Sequence, residues 1–137
     1  NFEKNLEFIL NDISLITGQK PALTASKKSI AGFKIRAGQT VGLKTTLRRL
    51  KMYNFLQRLI NVVFPRTKDF RGISYDNIDE SGNLNIGIKE HIVFPEISTD
   101  TIKFDFGLQI SIVSNAKTRE EAIELYKLLG IPFKKYG

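Results

Sequence analysis

Residues 41–65 read VGLKTTLRRLKMYNFLQRLINVVFP, and two hydrophobic periods meet inside them. In the first half, Val41, Leu43, Thr45 and Leu47 alternate with Gly42, Lys44, Thr46 and Arg48. Successive side chains of a strand point to opposite faces, so a period of two predicts a half-buried strand. Its inward face is largely aliphatic, and Lys44, Thr46 and Arg48 share the outward one. From Met52 the period changes. Met52, Phe55, Leu56, Leu59, Ile60 and Val63 recur at helical spacing. Pro65, which has no N–H to donate, is expected to stop that helix.

The flanking sequence supplies the rest of the fold. Upstream, Phe2, Leu6, Ile9, Leu10, Ile13 and Ile16 recur at steps of 3 and 4, an amphipathic helix ended by Gly18 and Pro21. Residues 18–40 then read as a long basic loop or loose hairpin, with an apolar break at Ile30 and Phe33. Downstream, residues 66–78 are irregular, and Glu80-Ser81-Gly82-Asn83 is a turn signal. Leu84, Ile86 and Ile88 mark a second strand, and Leu108, Ile110 and Ile112 a third. Thr118-Arg119-Glu120-Glu121 is a capping box, with Thr118 at the N-cap, and Gly130 and Pro132 close the helix it opens near Leu129. The order predicts an α+β fold: a mostly antiparallel sheet with helices packed on one face and the other face open. The 137 residues show no internal repeat and no linker, so one domain spanning 1–137 is expected.

Composition narrows the function classes. There is no cysteine, which excludes disulfides and thiolate metal sites. No apolar run approaches the length of a transmembrane helix, and residues 1–4 open an amphipathic segment, not a signal peptide. The chain does not begin with Met, so it reads as a fragment, a processed form or the ordered part of a longer protein. His91 is the only histidine. It is expected at the surface or at a strand end, and no nucleophile elbow accompanies it. Residues 32–38 end in Gln39-Thr40 and not in the Gly-Lys-Ser/Thr of a phosphate-binding loop. Asp76, Asp79 and Glu80 cluster, but Ile78 and Ser81 break the calcium-loop pattern, so an exposed turn is the better reading. No catalytic set, metal or cofactor is implied.

Charge carries the functional signal. Formal net charge is +7 and the pI about 9.7, with an uneven distribution. Residues 20–71 hold 13 Lys and Arg against one acid, Asp69; residues 72–137 hold 7 basic and 10 acidic residues. One face built for a polyanion is the implication, and nucleic acid is the leading partner, because Lys and Arg bind phosphate regardless of sequence. The densest stretch is Lys27-Lys28-Ser29-Ile30-Ala31-Gly32-Phe33-Lys34-Ile35-Arg36. Its small residues let the backbone approach a phosphate, its cations neutralise it, and Phe33 is suited to stack on a base or ribose. The plainer alternative is a solvated basic hairpin whose Ile30 and Phe33 tuck into the core. The second constellation is the row Lys44, Thr46 and Arg48, flanked in sequence by Lys20, Arg66 and Arg71. Its plainer alternative is an ordinary solvent-facing strand. An enzyme acting on RNA or nucleotides, a free basic RNA-binding or protein-interaction module, and a module for anionic membranes are the competing classes.

Several linked segments resemble one family. They are Ile16-Thr17-Gly18-Gln19-Lys20-Pro21, Lys28 to Arg36, Arg66-Thr67-Lys68-Asp69-Phe70-Arg71-Gly72, Gly87 to Glu96 through Ile88-Lys89-Glu90-His91, and Ala116-Lys117-Thr118. In order and spacing they are similar to the bacterial-type large-subunit ribosomal protein L five, over nearly the whole chain. The resemblance implies a protein that binds 5S rRNA in the central protuberance, beside large-subunit rRNA and other proteins of that region. It implies that the basic loop reaches peptidyl-site tRNA through residues Lys27 to Arg36. It further implies an intersubunit bridge to the small-subunit head protein S thirteen, and a place in the ribosome of a bacterial cytoplasm, a mitochondrion or a plastid. The rRNA-binding positions implied or flanking are Gln19, Lys20, Thr24, Lys44, Thr46, Arg48, Arg66 and Arg71. Three of these, Lys44, Thr46 and Arg48, are also the outward positions found from alternation alone. The sequence departs from the family in lacking a leading helix and strand before Phe2. Where the family usually has Asp-Gly-Arg-Gly it has Asp79-Glu80-Ser81-Gly82, and residues 101–107 lack the family's frequent basic residues.

Overall fold

A computed structural model describes residues 5–25, 40–68, 70–98 and 105–134. They fall into two compact units, one within Asn1–Phe55 and Glu96–Phe104, the other within Leu56–Pro95 and Asp105–Gly137.

In the first unit, helix α1 spans Leu6–Thr17 and buries Ile9, Ile13 and Ile16, the stripe that the 3–4 spacing predicts. Gly18 ends it at φ 78°, a left-handed cap that glycine adopts without steric cost, and its N–H reaches Ser14 O at 2.8 Å. Strand β1 (Ala22–Ala25) pairs antiparallel with β2 (Thr40–Lys44). Of residues 18–40, β1 takes Ala22–Ala25 and β2 begins at Thr40, while Lys27 to Arg36 lie outside the described residues. The register sets Thr24 opposite Gly42 and Ala22 opposite Lys44, then slips by one residue before Ala25–Thr40. A Cβ at Gly42 would come within 2.8 Å of Thr24 Oγ1, so the small residue is what lets the strands close there.

The strand predicted over 41–48 is shorter than its alternation. The ladder ends at Lys44, yet Lys44, Thr46 and Arg48 stay exposed while Thr45 and Leu47 remain half-buried. Side-chain alternation needs only an extended backbone; a ladder also needs a partner strand. Helix α2 (Arg49–Arg58) opens at Arg49, which has φ 56°, the one non-glycine at positive φ among the described residues.

The helix ends one residue past Pro65, at Arg66. α2 widens into a π-helical turn at Leu59–Val63, where Phe64 N–H reaches back five residues to Leu59 O, and continues as α3 (Phe64–Arg66). A proline removes one donor and crowds the preceding turn, and a wider turn just before it relieves the crowding. The chain leaves at Thr67, whose hydroxyl donates to Val63 O at 3.0 Å.

In the second unit, β3 (Leu84–Ile88) and β4 (Leu108–Ile112) form an antiparallel pair. Leu84, Ile86 and Ile88 are buried, as their alternation predicts. Helix α4 (Arg119–Leu129) is capped by the expected box: Thr118 Oγ1 accepts Glu121 N–H at 3.1 Å, and the Glu121 carboxylate accepts Lys117 N–H at 2.9 Å. Gly130 at φ 99° closes it. The class is α+β, but the described strands make two separate two-stranded sheets rather than one continuous sheet.

His91 corrects the sequence reading. It is fully buried, its ring stacked on Phe106 at 3.9 Å between centroids, with Nδ1 3.0 Å from Asp105 Oδ1. The turn His91–Val93 points it inward together with Val93. Its partners lie 14 and 15 residues away, beyond the reach of any local pattern.

Tyr126 locks α4 to the sheet. Its hydroxyl lies 2.6 Å from Gly82 O and 3.1 Å from Ile112 O, and Ser114 Oγ donates to the same Gly82 carbonyl at 2.9 Å. Because Ser114 still satisfies that carbonyl, Tyr126→Phe is expected to cost only about 1 kcal/mol of stability in denaturant titration. Burial raises the Tyr126 phenol above its ordinary value of 10.0. A raised pKa means the native state holds the proton more tightly. The associated stability is complete below pH 10 and is lost as the pH climbs through the raised value. Tyr126→Phe should remove that part of the alkaline loss.

Candidate nucleic-acid interface

Cross-strand partners in an antiparallel pair share a face. The β1–β2 register therefore puts Ala22, Thr24, Gly42 and Lys44 on one side and Leu23 with Leu43 on the other. Thr24 and Lys44, 20 residues apart in sequence, come together on the first side. Beyond the ladder the exposed Thr46 and Arg48 continue the row.

Gln19 holds this row in place. Its Nε2 donates to Thr45 Oγ1 at 2.6 Å and to Thr46 O at 2.8 Å, tying the segment after β2 to the end of α1. Its role inside the fold is thus positional, a role that the sequence did not disclose. The sharp cap at Gly18 is what aims Gln19 at Thr45, and Lys20 next to it is exposed.

Arg66 and Arg71 belong to the second unit, and both are exposed. Arg71 borders a cleft of about 400 Å³ together with Lys68, Lys89 and Lys134. Backbone bonds between distant segments build this cleft. Ile73 N–H donates to Pro132 O at 2.7 Å and Lys134 N–H to Ile73 O at 3.0 Å, so residues 132–134 lie beside Gly72. Lys89 follows directly on β3, and the Phe64 and Phe70 rings stack in the lining at 5.0 Å. Neither Lys89 nor Lys134 stands out in the sequence, because the two are 45 residues apart and belong to no basic run on the scale of residues 27–36.

Not every cation is free for a ligand. The Arg119 guanidinium donates to Tyr75 O at 2.7 Å and Ile78 O at 3.3 Å, and Lys127 Nζ stands 5.5 Å over the Tyr75 ring. Both hold the second unit together. Among the described residues no group of three or more His, Asp or Glu is placed to hold a metal ion, and no helix is long and apolar enough to cross a membrane.

Comparison with known proteins identifies the family. The chain matches the family model for ribosomal protein L5 over residues 2–36 and the model for the C-terminus of the same ribosomal family over residues 40–133. It is 54% identical over 132 residues to the large ribosomal subunit protein uL5 of Halothermothrix orenii, covering 96% of this chain and 74% of that one. It is 54% identical over 133 residues to uL5c of Gracilaria tenuistipitata, covering 97% and 74%. Against uL5 of Desulforapulum autotrophicum the identity is 53% over 137 residues, covering 98% and 75%. Such relatives are structural proteins of the ribosome, bacterial or organellar, and not enzymes. The chain belongs to the ribosomal protein L5 family, whose members are constituents of the large ribosomal subunit.

Proposed function

We propose that the chain binds 5S rRNA in the central protuberance of the large subunit through the row Thr24, Lys44, Thr46 and Arg48, which Gln19 positions and Lys20 flanks. The observation that carries this reading is the row itself: Lys44, Thr46 and Arg48 are exposed with half-buried Thr45 and Leu47 between them, and half-buried Thr24 lies across the ladder on the face of Lys44. Lys and Arg on such a row neutralise phosphates, and Thr hydroxyls donate to phosphate or ribose oxygens. Arg66 and Arg71, exposed in the second unit, are further rRNA-binding positions. The segment Lys27 to Arg36 contacts peptidyl-site tRNA, which its four cations and small residues suit. The domain faces the small-subunit protein S thirteen across the intersubunit bridge, and the acidic second half faces protein or solvent.

The test is sedimentation of source-cell lysate through sucrose gradients over a salt series. Co-migration of the chain and 5S rRNA with the large subunit through moderate salt is expected. Recovery only at the top of the gradient would reject the reading. A second measurement separates the two RNA surfaces. Changing Lys28, Lys34 and Arg36 to Ala should weaken tRNA binding about 10-fold or more, since three phosphate contacts are lost, and leave 5S rRNA binding within about 2-fold. Equal loss of both would contradict the assignment of two surfaces.

A further inference from the structure

The geometry points to a second RNA seat in the cleft of the second unit: a site for one nucleotide of a single strand and its flanking phosphates. The inference rests on the RNA-binding reading above and shares with its expected rRNA-binding positions only Arg71.

Four cations, Lys68, Arg71, Lys89 and Lys134, border this one cleft. They come from the exit of α3, the segment after it, the end of β3 and the end of the described chain. All four are exposed, and none is ion-paired with a described residue. The described lining contains no Asp or Glu. This is not overflow from a basic composition, because residues 72–137 are net acidic, with 7 basic residues against 10 acidic. A net acidic segment that still turns two lysines into one cleft, with none of its described carboxylates in the lining, has concentrated positive potential there.

Shape and surface chemistry narrow the ligand. The volume of about 400 Å³ lies within the range of small-ligand pockets. Gly87 faces the cleft from β3, and a Cβ there would meet nothing within 4 Å, so the strand surface is open to a close approach. Phe70 is half-buried and stacked on the buried Phe64 with the rings nearly parallel, at 4°. Two stacked rings make a rigid platform of the kind on which bases stack. A single RNA strand uses both features, phosphates against the four cations and a base against Phe70. An acidic peptide would use only the cations.

The experiment follows amide shifts by NMR in the full 137-residue chain during titration with a mixed-sequence octaribonucleotide. An acidic decapeptide and inorganic tripolyphosphate are titrated in parallel. The octaribonucleotide is expected to move the amides of Gly72, Gly87, Lys89 and Lys134 to saturation. Lys89→Glu with Lys134→Glu should weaken that response at least 10-fold while the rest of the spectrum stays native. Phe70→Leu should weaken the octaribonucleotide and leave tripolyphosphate unchanged. Cleft amides that do not respond to RNA would overturn the proposal. So would a response to the peptide or to tripolyphosphate that equals or exceeds the response to RNA. Failure of the first reading is distinguishable: shifts confined to the cleft, with 5S rRNA leaving residues 44–48 unmoved, would reject the strand row and keep the cleft.

Discussion

Gly72→Ala is expected to destabilise the second unit by about 3 kcal/mol, through left-handed backbone strain and overpacking together. Gly72 sits at φ 107°, which residues with a Cβ rarely adopt. A Cβ there would lie 2.7 Å from Lys134 N and 2.8 Å from the Phe133 carbonyl carbon. Both contacts are backbone, so no rotamer change relieves them. The displaced segment is the one that Ile73 N–H and Lys134 N–H hold by hydrogen bonds, and it carries Phe133 against Tyr75 at 4.6 Å. Gly87→Ala is the control. It lines the same cleft, its Cβ would meet nothing, and its stability should stay within about 0.5 kcal/mol of the parent. Denaturant midpoints of the two variants decide the matter, and equal values would refute the close approach at Gly72.

Removing the strand row should have the largest effect on RNA. Lys44→Ala, Thr46→Ala and Arg48→Ala together delete two cations and a hydroxyl from exposed positions, so the fold should persist. Each lost phosphate contact lowers the slope of log affinity against log salt by about 0.7 to 0.9. Two contacts therefore reduce the slope by about 1.4 to 1.8, and 5S rRNA affinity near 0.15 M salt should fall roughly 10- to 30-fold. Binding of tRNA should change far less. Gln19→Ala should reproduce part of the loss without removing any charge, because it frees the Thr45–Thr46 segment that Gln19 holds. A Gln19→Ala variant with full 5S rRNA affinity would show that the segment needs no such support.

The elements with strong local signals were legible in the sequence. The 3–4 spacing of Ile9, Ile13 and Ile16, the alternation of Leu84, Ile86 and Ile88, and the Thr118 capping box each carry their structural instruction within a few residues, and the structure follows them. What the sequence withheld depends on partners far along the chain. β1 is only four residues long and exists by pairing with β2 across 14 intervening positions. His91 is buried because Asp105 and Phe106 arrive from another segment, so its polar chemistry misled a local reading. Pro65 carries a local stop signal that the helix follows within one residue, but the π-helical turn before it has no local signature. Half of the candidate interface was visible for the same reason. Lys44, Thr46 and Arg48 announce themselves by period, whereas Thr24 joins them only through strand register. The cleft cations meet only through the Ile73–Phe133 bridge and the end of β3.

Equilibrium binding of the 137-residue chain to 5S rRNA over a salt series is the most direct test that its basic row is an rRNA anchor. The account predicts saturable binding with a steep negative dependence of log affinity on log salt, and a shallower slope for the Lys44, Thr46 and Arg48 triple variant. Binding that ignores salt, or a triple variant that matches the parent in slope and affinity, would contradict it.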